Sequence, residues 1–232
     1  MQIKIIASGS TGNAYWISDG KTELLIEAGI PISRLKKGLN FRLSKMDGCL
    51  ITHEHKDHSK AVLDVLKAGV DVYCTEGTAK ALGITGMEWR EIFEDIMFRV
   101  GTFVITPFAT IHDAAEPVGF VIYSLDTFEK ILFATDTTDV PIRPLLLTHV
   151  MIECNYDDAL LQEHLESGTM PERLQNRVEA SHLSLERCMS VLSSLNLSLV
   201  KAIYLLHLSQ HHSDKNRFVK AIQILTGIPT YF

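Results

Sequence analysis

The chain has 232 residues, 46% of them hydrophobic and 22% charged, with a formal net charge of −6 when the histidines are neutral. That length supports one sizeable core or at most two small ones, and so apolar a composition excludes a disordered chain. The acidic balance argues against a protein that grips nucleic acid through its whole surface.

The four cysteines (Cys49, Cys74, Cys154, Cys188) stand far apart with no C-x-x-C pair. Neither a disulfide framework nor a thiolate zinc site is expected, and a reducing, cytoplasmic setting is. No apolar run reaches the roughly 18 residues of a membrane span. The first apolar residues are soon interrupted by Ser8-Gly-Ser-Thr-Gly-Asn13, unlike a secretory signal.

In chain order, strands are predicted at 2–7, 14–18 and 22–27, with turns at 8–13 and 18–21. A helical stretch at 32–38 leads to a buried strand at 48–52, a helix at 57–68 and a strand at 71–75. From 97 to 135 the pattern is nearly all strand, with segments at 97–106, 108–111, 118–124 and 130–135. A strand at 149–154 then precedes helices at 157–166 and 184–194, a strand at 201–206 and a last helix at 215–225. With no linker and no repeat, the economical expectation is one compact domain of packed sheets with helices outside.

The sharpest chemical feature is Thr52-His53-Glu54-His55-Lys56-Asp57-His58, directly after a buried strand. In an extended segment His53 and His55 point to one side and Glu54 to the other, while Asp57 and His58 fall where the chain turns into a helix. Two imidazoles on one wall, with a carboxylate and a third imidazole just beyond, suit two neighbouring divalent metals. Ligands of this kind with little thiolate indicate zinc, with manganese or iron as alternatives.

This H-x-H-x-D-H pattern resembles the signature of the metallo-β-lactamase superfamily, and four further segments follow it in kind. Leu24-Leu-Ile-Glu-Ala-Gly29 is similar to the family's first motif, with Glu27 where aspartate is usual. Ile111-His112-Asp113, Phe133-Ala-Thr-Asp136-Thr and Leu205-Leu-His207-Leu-Ser are similar to its third, fourth and fifth. The resemblance implies an α/β (α+β) four-layer αββα sandwich, two mixed sheets packed face to face with helices outside. It implies that His53, His55 and His112 hold one metal, that Asp57, His58 and His207 hold the other, and that Asp136 bridges them. Glu27 is then expected to accept a hydrogen bond from a ligand imidazole. A narrower likeness, carried by Ala7–Asn13, Glu153-Cys-Asn-Tyr-Asp157 and Ser181-His182-Leu-Ser184, is to the bacterial WalJ/YycJ branch, associated with 5′→3′ DNA exonuclease activity. The usual pattern near Glu153 is E-x-N-H-D, so Tyr156 here replaces a histidine.

The function implied is a binuclear metal-dependent phosphodiesterase or nuclease acting on DNA, with a metal-bound hydroxide as nucleophile. Asp57 would also orient or deprotonate the water, and His182 would protonate the leaving oxygen. The stretch between Asp136 and His207 is too short for a β-CASP insertion, and nothing resembles a tRNA-binding arm, so residues 1–232 are expected to form a single domain. Phosphate contacts are expected from Arg173 and Arg177, one helical turn apart. Arg34–Lys45 offers five basic residues, no acidic one and Phe41 between them, a composition suited to a nucleic-acid backbone and a stacked base. The sequence names no protein partner. Two alternatives stay open: hydrolysis of a small phosphodiester, thioester or lactone, and a non-catalytic metal-holding module. His149, His164, His211 and His212 are read as structural or surface residues.

Overall fold

The structure is a computed structural model that describes residues 1–86, 89–167, 169 and 171–232. The chain divides into two compact units, residues 1–109 with 114–129, and residues 110–113 with 130–232.

The first unit opens with a six-stranded sheet whose spatial order follows the sequence: β1 (Gln2–Ala7), β2 (Ala14–Ser18), β3 (Glu23–Ile26), β4 (Gly48–Leu50), β5 (Val72–Cys74) and β6 (Trp89–Glu91). β1 to β3 pair antiparallel through short turns, and β3 to β6 pair parallel. Parallel neighbours need crossovers, supplied here by α1 (Ile32–Gly38), by α2 (Lys56–Ser59) with α3 (Val62–Lys67), and by α4 (Glu76–Leu82). Leu25, Cys49 and Val72 on the sheet pack with Leu35, Leu39, Val62, Val65 and Ala79 from those crossovers. β4 is buried along its whole length, which is why it reads in the sequence as a short unbroken apolar run. The sequence left 76–82 unassigned; Thr75 caps α4 by accepting from the Thr78 N–H, and Gly83 ends it at φ 66°.

Two sequence expectations are corrected. The helix expected at 57–68 is two helices, because the backbone between them bonds elsewhere: the Ala61 N–H donates to the Ala28 carbonyl at 2.8 Å, and the Ala28 N–H to the His58 carbonyl at 2.8 Å. The strand expected at 97–106 is a hairpin of β7 (Phe98–Val100) and β8 (Phe103–Ala109), with Val100 opposite Phe103. Only Gly101 and Thr102 connect them, and Gly101 takes φ 55°, which a two-residue hairpin turn requires. β9 (Val118–Ser124) pairs antiparallel with β8 along its length.

Asp19, in the turn between β2 and β3, ties these two parts of the unit together. Its Oδ1 accepts from the N–H groups of Lys21 (3.0 Å) and Thr22 (2.9 Å), and its Oδ2 from the hydroxyls of Thr102 (2.5 Å) and Ser124 (2.7 Å).

In the second unit, β10 (Lys130–Ala134), β11 (His149–Glu153), β12 (Ala202–Leu206) and β13 (Thr230–Tyr231) pair parallel in that order. Its helices are α5 (Asp158–Glu166), α6 (Glu172–Ser181), α7 (Leu185–Ser194) and α8 (Lys215–Thr226). Three are capped by side chains that accept from first-turn N–H groups: Asp157 on α5, Ser184 on α7 and Asp214 on α8. No described helix is long and apolar enough to cross a membrane.

Burial alone would raise the Asp19 carboxyl pKa, but the hydrogen bonds from Thr102 and Ser124 and from the turn backbone outweigh it and lower it from 3.8 to about 2. Because the folded group titrates below its unfolded value, its contribution is present above pH 3.8 and lost as the pH falls through 2. Asp19→Asn is expected to cost about 2 kcal/mol at neutral pH. Denaturant melts at pH 7 and pH 2 check this: the difference between the two proteins should shrink at the lower pH, and an undiminished difference would contradict the assignment.

Candidate metal centre

In the first unit the site residues leave the ends of β3 and β4. Beyond Leu50 the chain stays extended through His53 and His55, whose ring centroids lie 4.7 Å apart. The turn into α2 then brings the His58 ring to 4.2 Å from that of His53. Behind these rings lies Glu27, fully buried at the exit of β3, with its backbone in the left-handed region at φ 64°. Its Oε1 accepts from the Thr52 hydroxyl at 2.5 Å, and Thr52 Oγ1 lies 2.9 Å from His53 Nδ1. The same Oε1 lies 3.4 Å from His58 Nδ1. With Thr52 donating to Glu27, its oxygen accepts from His53 Nδ1–H, so His53 and His58 both turn Nδ1 toward the Glu27 side.

The Ser8–Asn13 loop clamps the Asp57 turn from the other side. The Asn13 N–H donates to the Asp57 carbonyl at 2.7 Å, and Asn13 Nδ2 reaches the same carbonyl at 3.2 Å and His58 Nε2 at 3.1 Å. Asn13 Oδ1 is itself fixed by the Gly9 N–H (2.9 Å) and the Tyr15 hydroxyl (3.0 Å). His58 Nε2 lies 3.5 Å from Asp57 Oδ2. Gly29 makes the close approach possible, since a Cβ there would sit 1.6 Å from the Asp57 carbonyl oxygen.

The second unit holds its own cluster around another buried carboxylate. Glu153 ends β11, fully buried; its Oε1 accepts from His182 Nδ1 at 2.7 Å and from His207 Nδ1 at 3.2 Å, and its Oε2 from the Leu183 and Thr137 N–H groups at 3.1 Å each. Asp136 follows β10 and His207 follows β12, both left-handed at φ 49° and 53°. His207 Nδ1 lies 3.3 Å from Asp136 Oδ1. Asn155 holds the His207 backbone in turn, its Nδ2 donating to the His207 carbonyl at 2.7 Å. His112 Nδ1 donates to the Ser181 carbonyl at 3.1 Å and turns Nε2 toward Asp136 Oδ2 at 3.6 Å.

Burial pulls the His182 pKa down, but the charge and hydrogen bond of Glu153 prevail and raise it. Burial likewise pushes Glu153 up, and its imidazole partners, led by His182, hold it low. For His112, burial wins over the attraction of Asp136 and lowers its pKa.

These residues fit divalent metals by donor chemistry. His53, His58, His207 and Asp136 are buried, and several imidazoles have one nitrogen taken up by a protein acceptor, as metal-ligating histidines usually do. Within the second unit, Asp136, Glu153, His182 and His207 each offer an atom within 4.8 Å of the others. The ligands are nitrogen and oxygen, the set that suits zinc, manganese or iron.

Glu153, Asn155 and Asn13 belong to segments quoted for the narrower likeness, but their contacts with the imidazoles, and that of Thr52, are not readable from the sequence. The Ser-His-Leu-Ser element resolves into two jobs: Ser184 caps α7, and His182, just past α6, turns to Glu153. Tyr156 is buried against Leu161 and Val178, with its phenol pushed up to about 12 chiefly by burial. Arg173 and Arg177 are exposed on α6, and Arg177 Nε lies 3.7 Å from Asp113, the neighbour of His112. His164 and His212, expected to be structural or surface residues, face each other with Nδ1 atoms 2.8 Å apart.

A family profile described as "Beta-lactamase superfamily domain" matches residues 23–208. The chain belongs to the beta-lactamase superfamily. Exodeoxyribonuclease WalJ of Streptococcus pneumoniae is 33% identical over 91% of this chain and 82% of its own length. Exodeoxyribonuclease YycJ of Bacillus anthracis is 29% identical over 93% of this chain and 85% of its own. The metallo-β-lactamase fold protein YhfI from Bacillus subtilis superposes with a TM-score of 0.75 at 15% identity, covering 99% of this chain and 94% of that one. The fold is therefore the expected one, two mixed sheets with helices in the αββα class. The family and the His/Asp cluster together make the chain a metal-dependent hydrolase.

Glu153→Gln removes the charge that raises the His182 pKa, so that pKa is expected to fall. Imidazole proton shifts followed by NMR across pH in the metal-free protein check it, and an unchanged His182 titration would contradict the assigned pairing.

Proposed function

We propose that the protein is a phosphodiesterase that cleaves DNA, using two divalent metals, with zinc the first candidate and manganese or iron the alternatives. His53, His55 and His112 would hold one metal, Asp57, His58 and His207 the other, and Asp136 both. Residues 1–232 would work as one domain without a substrate-binding insertion. The four cysteines are free and buried, which supports a cytoplasmic setting.

The observation that carries the reading is the Glu153–His182 pair beside His207 and Asp136. Glu153 accepts a hydrogen bond from the His182 Nδ1–H, fixes the ring, and favours its protonated form, so Nε2 carries a proton to give. A phosphodiester needs such a donor for its leaving oxygen. His182 is 19% exposed at its side chain, against 0% for Glu153, so the donor reaches solvent while the residue that orients it stays dry. Bound divalent cations would supply an acidified water and offset charge on the phosphoryl oxygens. Asp57 would take a proton from the attacking water, and Arg173 and Arg177 would meet phosphates flanking the scissile bond. The exodeoxyribonuclease names of the two relatives support DNA as the substrate.

Purified protein is expected to contain about two metals per chain and to degrade 5′-phosphorylated DNA. Asp57→Ala should abolish cleavage with the fold retained. His182→Ala should lower kcat by about 10²-fold or more with metal content unchanged. Hydrolysis of bis-p-nitrophenyl phosphate without any DNA cleavage would refute the nuclease assignment, and loss of metal in His182→Ala would make that residue a ligand instead.

A further inference from the structure

The end of α1 gathers features that the metal centre does not use. Lys36 and Lys37 lie in its last turn. The helix closes with the Phe41 N–H on the Lys36 carbonyl at 2.7 Å and the Asn40 N–H on the Lys37 carbonyl at 3.1 Å. That is the paired-bond ending in which an apolar residue at the Phe41 position ordinarily folds back onto the helix. Phe41 does not fold back: it is 78% exposed, the most exposed large apolar side chain among the described residues. Asn40 and Phe41 both take left-handed backbone, at φ 51° and 59°. Asparagine adopts that conformation readily, whereas for phenylalanine it is an outlier. Strain that presents a bare aromatic ring to solvent contributes nothing to the core.

The ring stands among cations. Arg34, Lys36, Lys37, Arg42 and Lys45 are all exposed, and residues 34–45 contain no acidic side chain. Arg42 is held by Glu23, but among the described residues no ion pair engages Arg34, Lys36, Lys37 or Lys45. Alongside is a shallow cavity of about 100 Å³ whose lining includes Lys4, Trp16, Asn40 and Arg42. The Glu23 carboxylate there is occupied by Trp16 Nε1, at 2.9 Å, and by Arg42.

We propose that this face binds a single-stranded nucleic-acid segment, with Phe41 stacking on a base and Arg34, Lys36, Lys37 and Lys45 meeting phosphates. A single strand is required because only an unstacked base offers its face to the ring. The inference rests on the nucleic-acid reading given above and adds a second contact zone to it. Arg42 of the patch pairs with Glu23, which opens β3, whereas Glu27, beside the imidazoles, follows the strand's end, and about 13 Å of strand separates the two glutamates. A small ester at those imidazoles does not reach Phe41, whereas a polymer does. The zone therefore governs affinity for long strands and leaves the chemical step alone.

The test is fluorescence anisotropy of the metal-loaded protein with a phosphorothioate-linked 30-nucleotide strand, beside steady-state cleavage of the ordinary strand and of bis-p-nitrophenyl phosphate. Phe41→Ala is expected to weaken strand binding by about tenfold. Lys36→Gln with Lys37→Gln should weaken it and reduce the slope of log affinity against log salt by about 1.4. Both variants should raise KM on the strand and leave hydrolysis of the small ester unchanged. Wild-type binding by both variants, with cleavage intact, would overturn the surface and leave the nuclease reading standing. Tight binding that needs Phe41, in a protein that cleaves no strand, would support the surface and overturn the nuclease reading.

Discussion

In each unit a fully buried carboxylate stands behind the imidazoles, and the arrangement of each cluster follows from what its carboxylate requires. A charge removed from water is tolerated only when its lone pairs are met. Glu153 meets the requirement with four donors drawn from the ends of different elements: the Thr137 N–H after β10, His182 and the Leu183 N–H between α6 and α7, and His207 after β12. Satisfying one side chain thus sets the relative placement of three chain segments. Glu27 does the same more locally, reaching His53 through Thr52 and lying against His58 directly. His53, His182 and His207 are consequently held by their Nδ1 atoms before any metal arrives, which keeps the cost of organising a site low when the metal binds.

The backbone carries a matching constraint. Glu27, Asp136 and His207 all take positive φ, and each directly follows or lies just past the end of a buried strand. A non-glycine residue in that region costs on the order of 1 kcal/mol. Continuing the strand would avoid that cost but would send the side chain to alternating faces of the sheet. Turning left-handed at the last rung redirects the side chain off the strand end while the strand itself stays rigid. The strands supply stiffness and the strained residue supplies direction, so the precision of the site does not depend on long loops.

Contiguous chemistry was legible in the sequence and relayed chemistry was not. His53, His55, Asp57 and His58 announce themselves because all four lie within six residues at the end of an apolar strand. The order and nature of most elements could be read as well, since β4, β10 and β11 are buried along most or all of their length and leave apolar runs. Glu153 stood out only as part of a family-like element; its role as acceptor was not legible, because its partners lie 29 and 54 residues away. Asn13 was quoted for the same likeness, but its clamp on a turn 44 residues away was not legible. The split between α2 and α3 was invisible for the same reason: residues 57–68 have a helical pattern, and only the bonds with Ala28 interrupt it. Helical periodicity reports which face is apolar, not where a distant carbonyl captures an N–H.

The acidic balance of the chain takes on a different meaning in this light. A net charge of −6 suggests a surface that repels polyanions only if the carboxylates are on the surface. Asp19, Glu27, Asp136, Glu153 and Asp157 are instead buried. Asp19 accepts from two hydroxyls and two backbone N–H groups. Asp157 caps α5 and pairs with Arg217 at 2.7 Å, and Glu27 and Glu153 serve imidazoles. Five of the 28 acidic residues are thus matched by donors inside the protein, and what a polyanion meets depends on how the other charges are distributed. The exposed run from Arg34 to Lys45 carries the opposite sign. A protein that is acidic in total can therefore present cations at one place, and the local distribution, not the sum, decides which polymers it attracts.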